Sequence, residues 1–311
     1  MSRVAGICAT LVGLVLGLGG APAKALDAER DEPTVIHRVV WADSARADPG
    51  IHIRSMEVDG SDLRSAYDWP HGFTLSLSLD PAGRRAAFAP CCRKTRPLLV
   101  VAPVKGGKAL EPLKKSARYD AVSGIGWSPN GKRIAFEGLS GPSDARLATI
   151  WTVRPNGKGL RKVLTRALPG PDRPAFNETL AWTPDGILYS DGKDLRSAGP
   201  GRSTLVMKNV FGVRSSGDGS RLVLDRYTKD KRSVWMSDPD GTNRRKLLVQ
   251  GDRGEGTLYL DVSPSYDATE LLATRHRPAS DDVVIWRVAD GPGSATVLEL
   301  PDQYTVGATW N

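Results

Sequence analysis

A segment of about 46 residues recurs along this chain, and the repeat constrains the fold more than any other feature. The stretch 126–136 (GWSPNGKRIAF) recurs at 181–189 (AWTPDGILY) and, more loosely, at 79–88, 217–224 and 262–273. Each copy places an apolar run before a turn rich in Pro and Gly and a second apolar run after it, which is the pattern of a β-hairpin. The chain is therefore expected to consist of repeated hairpins.

A second set of turns lies between these copies. They are Asp59-Gly60, Gly106-Gly107, Asn156-Gly157, Pro200-Gly201, Asp240-Gly241 and Asp290-Gly291. Gly at such positions supplies the positive φ of a tight turn. The spacing from Gly60 to Gly291 averages about 46 residues over five intervals, which is the period of a four-stranded propeller blade.

Counting the copies predicts six blades. Five contain both hairpins and are expected at 74–113, 121–165, 178–208, 210–249 and 257–300. The sixth is split, because 306–311 matches the strand before the first turn and 34–41 matches the strand after it. One C-terminal strand would thus complete three N-terminal strands, which closes the ring and covers two free sheet edges. We predict an all-β, six-bladed β-propeller with four-stranded antiparallel blades.

The motifs at 127–136 (WSPNGKRIAF), 182–186 (WTPDG) and 150–157 (IWTVRPNG) resemble the WD40-like repeat of the TolB-like six-bladed propeller family. The resemblance spans 34–311 and implies the same propeller. TolB itself is a periplasmic protein that binds partners, but its particular role is not carried over to this chain. The α/β domain that precedes the propeller in TolB is not expected here, because only the segment 26–33 separates the predicted cleavage site from the first strand.

The N-terminal residues are typical of a secretory signal peptide. Arg3 precedes an apolar run from Val4 to Gly20, and Ala23-Lys24-Ala25 is a small-x-small cleavage site. We therefore divide the chain into a signal peptide (1–25), a linker (26–33) and one propeller domain (34–311). The mature protein is expected to be exported, periplasmic or secreted, monomeric and without a membrane span. The alternative is an uncleaved membrane anchor.

Cysteine use leaves two interpretations open. After cleavage only Cys91 and Cys92 remain, and they are adjacent. The one intramolecular bridge available to them is a strained vicinal disulfide, which would suit a redox switch. Two free thiols without a function are the alternative.

The order of strands assigns the loops to two faces. The first and third turns of every blade form one face, here called the turn face, and its short Pro and Gly turns are expected to be structural. The second loop of every blade and the link to the next blade form the opposite, more polar face, here called the loop face.

The loop face is the predicted binding surface. Function is commonly carried by loops on a rigid scaffold, so we predict that a partner binds this face and the channel mouth, where the central channel of the propeller opens onto it. The alternative is that these are solvated loops. The candidate binding residues are His71, Arg93, Lys94, Asp120, Asn177, Glu178, Asn209, Lys231, Arg232, Glu255, Arg275, His276 and Gln303.

Net charge points to the kind of partner. The chain carries a formal charge of +8, and the excess includes Arg93, Lys94, Lys231, Arg232 and Arg275 on the predicted loop face. These cations are expected to attract a protein or an anionic polymer of the cell envelope. The sequence contains no basic helix or stacking motif of a nucleic-acid-binding protein. Plain solubility is the other reading of the charge.

The tryptophans are expected to pack the blades. Trp127, Trp182 and Trp310 fall on equivalent first strands, and Trp151, Trp235 and Trp286 fall on equivalent third strands. Repetition at one structural position favours packing over an aromatic sugar-binding surface.

The sequence contains no G-x-S-x-G, H-E-x-x-H or P-loop motif. We therefore predict a non-enzymatic binding scaffold without a cofactor. The alternative is a hydrolase or lyase that uses a channel-mouth divalent cation held by oxygen ligands, or carboxylates alone. Its candidate ligands are Asp120, Asn177, Glu178 and Glu255.

Overall fold

The computed structural model describes residues 38–43, 50–69, 73–91, 97–113, 119–142, 145–168, 180–228, 231–249, 258–277, 280–298 and 305–310. All of them belong to the unit Thr34–Asn311. The predicted signal peptide (1–25) and linker (26–33) lie outside the described residues and stay predictions. Within the described ranges, no helix is long and apolar enough to cross a membrane.

The described residues form β-strands and one short 3₁₀-helix, η1 (Pro292–Ser294). The strands are β1 (Arg38–Asp43), β2 (Ile51–Glu57), β3 (Arg64–Trp69), β4 (Phe73–Leu79), β5 (Arg85–Cys91), β6 (Val100–Pro103), β7 (Ala121–Trp127), β8 (Ile134–Ser140), β9 (Leu147–Val153), β10 (Arg161–Ala167), β11 (Leu180–Thr183), β12 (Gly186–Ser190), β13 (Asp194–Gly199), β14 (Arg202–Lys208), β15 (Val210–Ser215), β16 (Leu222–Thr228), β17 (Lys231–Ser237), β18 (Arg245–Val249), β19 (Leu258–Pro264), β20 (Glu270–Arg277), β21 (Ser280–Arg287), β22 (Thr296–Leu298) and β23 (Thr305–Trp310).

These strands form six antiparallel sheets, which confirms the predicted six-bladed propeller. Blade 1 has the order β23-β1-β2-β3, blade 2 contains β4 to β6, and blades 3 to 6 contain β7 to β10, β11 to β14, β15 to β18 and β19 to β22. The C-terminal strand pairs with the first described strand in the register Val39 to Trp310 and Val40 to Thr309. The split blade is therefore closed as the sequence predicts.

Blade 2 departs from the four-stranded pattern. Within the described residues, which end at 113 in this blade, its sheet has three strands, and Val101 and Leu110 form one further bridge by exchanging main-chain hydrogen bonds of 2.9 and 2.8 Å. Gly106 and Gly107 both have positive φ, and Pro112 has no N–H to donate. The described segment 104–113 is thus poorly suited to a longer strand.

The core lies between the blades and confirms that the ring is closed. The described residues form six buried clusters, and each of them joins two neighbouring blades. Phe136 of blade 3, for example, packs against Leu99 and Val101 of blade 2. Trp41 of blade 1 packs against Leu272 of blade 6, so the first and last blades share a core in the same way.

The turn that connects the first two strands of a blade is held by a repeated side-chain lock. In blade 3 the hydroxyl of Ser128 donates to Asn130 Oδ1 at 2.9 Å and accepts a hydrogen bond from the main-chain N–H of Arg133 at 3.0 Å. The corresponding residues of blade 5 are Ser216 and Asp218, whose hydrogen bond is 2.6 Å long. Asn and Asp are favoured in such turns because their side chains accept main-chain N–H groups. Local side chains therefore fix the backbone of these turns.

The tryptophans lie where the repeat predicts. Trp127, Trp182 and Trp310 are on the innermost strands β7, β11 and β23, and Trp151, Trp235 and Trp286 are on the third strands β9, β17 and β21. Trp286 is 3% exposed within the core between blades 5 and 6. Trp182 packs on the cluster between blades 3 and 4 but keeps part of its surface at the turn face.

Candidate functional site

The structure describes the side chains of four predicted loop-face residues, Asp120, Asn209, Arg232 and Arg275. Lys231, His276 and Cys91 have a described backbone in β17, β20 and β5. The remaining candidates, His71, Arg93, Lys94, Cys92, Asn177, Glu178, Glu255 and Gln303, lie outside the described residues. Their roles on the loop face stay predictions.

Asp120 and Asn209 lie at the loop-face end of the innermost strands. Asp120 directly precedes β7, and its main-chain N–H donates to Leu139 O at 2.7 Å. Asn209 directly precedes β15 and has a φ of +59°, a conformation that Asn tolerates better than most residues. Its N–H donates to Asp194 Oδ1 at 3.0 Å. Both side chains are exposed, so they are accessible to a partner at this end of the ring.

Arg232 and Arg275 are held in ion pairs on neighbouring blades. Arg232 donates to both carboxylate oxygens of Asp225, at 3.2 and 2.7 Å, and Arg275 Nη2 donates to Asp282 Oδ2 at 3.2 Å. The side chains of both pairs are between 15% and 19% exposed. A guanidinium that is paired with a carboxylate contributes much less to the electrostatic field outside the protein than an unpaired one. These two arginines therefore connect adjacent strands and add little to the positive charge of the loop face.

The central channel contains a cation that the sequence analysis did not select. A cavity of about 60 Å³ is lined by residues from all six innermost strands, including Ser76, Ser215, Ser263, Thr309 and Arg214. Pro81, Ser216 and Pro264 also line it, so the cavity lies toward the turn-face end of the channel. Arg214 alternates with the buried Val213 along β15. This alternation of a charged and an apolar residue on an innermost strand is the sequence feature from which a cation in the channel could have been predicted.

The electrostatics of Arg214 follow from its burial. Its side chain is 16% exposed, and loss of water lowers the pKa of its guanidinium, while the carboxylates of Asp261 and Asp225 act in the opposite direction. Arg214 Nη2 lies 3.9 Å from Asp261 Oδ1, which is longer than a hydrogen bond. Asp261 has a φ of +54° and lies at a register shift in β19, a place where bulges commonly redirect a side chain. The channel thus holds a mostly buried cation with a carboxylate near it and hydroxyl groups around it.

The alternative metal site has few of its residues in the described part of the chain. Only Asp120 of its four candidate ligands is described, and Asn177, Glu178 and Glu255 lie outside. Within the described ranges, no three His, Cys, Asp or Glu side chains are grouped so that they could hold a metal ion. The hydrolase or lyase alternative and the absence of a cofactor both stay predictions.

Comparisons with known proteins identify the fold. No protein-family profile matches the sequence, and no curated protein matches it. Among solved structures, the chain is similar to TolB from Acinetobacter baumannii, with a TM-score of 0.65 and 13% identity over 88% of this chain and 66% of that one. It is also similar to a putative TolB from Agrobacterium tumefaciens, with a TM-score of 0.54 and 13% identity over 88% and 89% of the two chains. A further similarity is to the tricorn protease, with a TM-score of 0.52 and 10% identity over 86% of this chain and 30% of that one. The chain thus has the six-bladed propeller fold of the TolB structures, as its repeat predicts.

Proposed function

We propose that the chain is an exported, non-enzymatic binding protein, which holds a protein or an anionic polymer of the cell envelope through its loop face and central channel. The fold that it shares with the TolB structures supports a binding scaffold. The observation that carries the proposal is Arg214, a mostly buried cation on the channel wall.

A guanidinium that is mostly removed from water attracts an anion more strongly than an exposed one, because less water screens its charge. Arg214 also forms an ion pair with Asp261 at 3.9 Å. The cavity of about 60 Å³ beside Arg214 has room for one carboxylate or two water molecules. An anionic group of a partner would gain a charge-assisted hydrogen bond there.

The test is an affinity capture from an envelope extract of the host, with the bound proteins and polymers identified by mass spectrometry and sugar analysis. A channel variant carries Arg214→Met, which keeps the side-chain volume and removes the charge. A loop-face variant carries Arg93→Glu, Lys94→Glu and Lys231→Glu, and leaves the paired arginines intact. The control is Arg287→Gln, since that side chain is 74% exposed on the turn face.

We expect one partner to be retained by the wild type and the control and to be lost by the channel variant, the loop-face variant or both. The two variants separate a role of the channel from a role of the loop face. Equal retention by all four proteins, or no specific retention, would contradict the proposal. In that outcome metal analysis, with an activity screen of Asp120→Ala and Glu178→Ala, would test the hydrolase or lyase alternative.

A further inference from the structure

The turns of blades 2 and 3 make one sector of the turn face strongly basic. The segments 80–85, 103–113, 128–133 and 154–161 contain nine Arg or Lys and two Asp or Glu. The turn segments of the other blades are 57–64, 183–186, 199–202, 216–221, 238–245, 265–270 and 287–296. These contain six Arg or Lys and ten Asp or Glu. An anionic partner is therefore attracted to one sector of the turn face and repelled from the rest.

A groove lies in this basic sector and extends to the turns of blade 4, and Arg85 and Leu110 of blade 2 also line it. Its volume is about 950 Å³. The lining combines the apolar surfaces of Pro129, Trp182 and Pro184 with the cations Lys132, Arg133 and Arg154. Among the described residues, no Asp or Glu lines the groove. It is therefore concave, partly apolar and basic.

Neutral oxygens position Arg133, whereas Arg85, at the blade 2 end of the groove, is paired with the carboxylate of Asp80 at 2.8 Å. Arg133 Nη2 donates to the hydroxyl of Thr152 at 2.9 Å and to the carbonyl of Gly159 at 2.6 Å. Burial lowers the pKa of Arg133, and the neighbouring charges of Arg161 and Arg154 lower it further. The guanidinium is thus held in place while its charge is opposed by like charges, an arrangement that a bound anion would stabilise.

Both turns of blade 3 also lack the acid that other blades carry at the same turn position. In blade 5, Asp218 and Asp240 each accept a hydrogen bond from the main-chain N–H two residues on, at 2.9 and 2.8 Å. In blade 3, Asn130 and Asn156 make the same hydrogen bonds at 3.1 Å. Asn therefore supplies the turn contact without a negative charge. Both asparagines line the groove.

We propose that this groove binds an extended acidic segment of a partner protein. Its carboxylates pair with Lys132, Arg133 and Arg154, and its apolar side chains pack on Trp182 and the neighbouring prolines. This site goes beyond the proposed function, because it lies on the turn face and uses none of the loop-face or channel residues.

The shape and lining favour a peptide over other anionic partners. A lipid surface would meet a flat or convex patch better than a groove. An acidic polysaccharide would stack on the ring of Trp182 alone, because the rings of Pro129, Pro155 and Pro184 offer no hydrogen-bonding groups to its hydroxyls. An extended peptide can place carboxylates and apolar side chains alternately against cations and rings.

The test measures binding of a fluorescein-labelled peptide of repeated Glu-Pro-Asp-Leu units by fluorescence anisotropy, at low and physiological salt. One variant carries Asn130→Asp and Asn156→Asp, which adds two carboxylates to turns that already accept Asp in blade 5. A second variant carries Arg133→Gln and Arg154→Gln.

A matched control carries Arg202→Gln and Arg287→Gln, which changes the net charge equally on the turn face outside the groove. Vesicles of phosphatidylglycerol and soluble polygalacturonate are tested beside the peptide. We expect the wild type and the control to bind the peptide and both groove variants to lose about tenfold or more in affinity. The Asn→Asp variant should keep the wild-type melting temperature, because its turn hydrogen bonds are preserved.

Three outcomes would overturn the proposal. One is the absence of peptide binding at low salt. Another is an equal loss of affinity in the control, which would mean that net charge and not the groove attracts the peptide. The third is binding of vesicles or polygalacturonate, but not of the peptide, through the groove residues.

Discussion

Replacing Arg166 with Met should lower the free energy of unfolding by about 3–5 kcal/mol at pH 8 and by much less at pH 5. Arg166 Nη2 donates to Glu137 Oε1 at 2.6 Å, and the two side chains are 13% and 3% exposed. The guanidinium also lies 5.2 Å from the centre of the Tyr189 ring in the next blade. Removing the cation strands a carboxylate in the core, which is the costly way to break a buried ion pair.

The pH dependence follows from the pKa of Glu137. Burial raises this pKa above the ordinary value of 4.5, and Arg166 opposes the shift through its charge and its hydrogen bond. Without Arg166 the pKa rises further, so the folded variant takes up a proton that the unfolded chain does not bind. The loss of stability therefore grows as the pH rises from about 4.5 through the folded-state pKa, and it is relieved on acidification. With Glu137 protonated, about 1–2 kcal/mol should remain for the broken hydrogen bond.

The assay is urea unfolding followed by tryptophan fluorescence at several pH values between 5 and 8, with each variant compared with the wild type at the same pH. Glu137→Gln combined with Arg166→Met serves as the control, because it removes both charges and should lose about the same small amount at every pH. If Arg166→Met cost as much at pH 5 as at pH 8, or if the double variant were no more stable than Arg166→Met at pH 8, the reasoning would be refuted.

The other predictions concern single packing and turn positions, each measured by urea unfolding. Gly157→Ala should cost about 2–4 kcal/mol, because φ is +81° and the new Cβ would lie 2.7 Å from Pro112 O. Gly60→Ala is its control, at the same position of the third turn in blade 1 with φ at +86° and open space around it, and should cost only about 1–2 kcal/mol; equal losses would contradict the steric argument. Phe136→Ala, at a fully buried ring, should cost about 3–5 kcal/mol, and a loss below 1 kcal/mol would show that the interface between blades 2 and 3 repacks. Ser128→Ala should cost about 1 kcal/mol through the turn lock, and an unchanged midpoint would show that the hydroxyl is dispensable.

The fold was predictable because its signals are local. A hairpin turn needs Gly at positive φ and Asn, Asp or Ser as main-chain acceptors, and these residues are visible within a few positions of one another. Gly131, with φ at +63°, is such a case. Blade number and closure then follow from counting copies and from the match between 306–311 and the first strand of a blade. Among the described residues blade 2 is the exception, since the single bridge at Leu110 depends on how far the segment after Gly107 can continue the sheet.

The site was less predictable because its contacts join distant parts of the chain. The pairing of Arg232 with Asp225 requires the register of two strands, and sequence assigns Arg232 to an exposed rim equally well. In the sequence, Arg214 cannot be distinguished from any other charged residue of a strand with alternating polarity. Its position in the channel depends on the six innermost strands that surround it. The groove is assembled from residues of three blades, so no single segment contains it.

The repeat nevertheless separates what the backbone requires from what the partner requires. A turn needs an acceptor for the main-chain N–H two residues on, and an amide or a carboxylate oxygen serves equally: Asn156 accepts at 3.1 Å and Asp59 of blade 1 accepts at 2.9 Å. The hydrogen bonds to Ser61 lower the pKa of Asp59, so an acid in such a turn stays ionised at neutral pH. The Asn residues in the turns of blade 3 therefore leave the fold unchanged and alter only the electrostatic field that a partner encounters. Charge on the turn face is thus independent of the structural repeat, and the basic groove is the place where that independence has the largest effect.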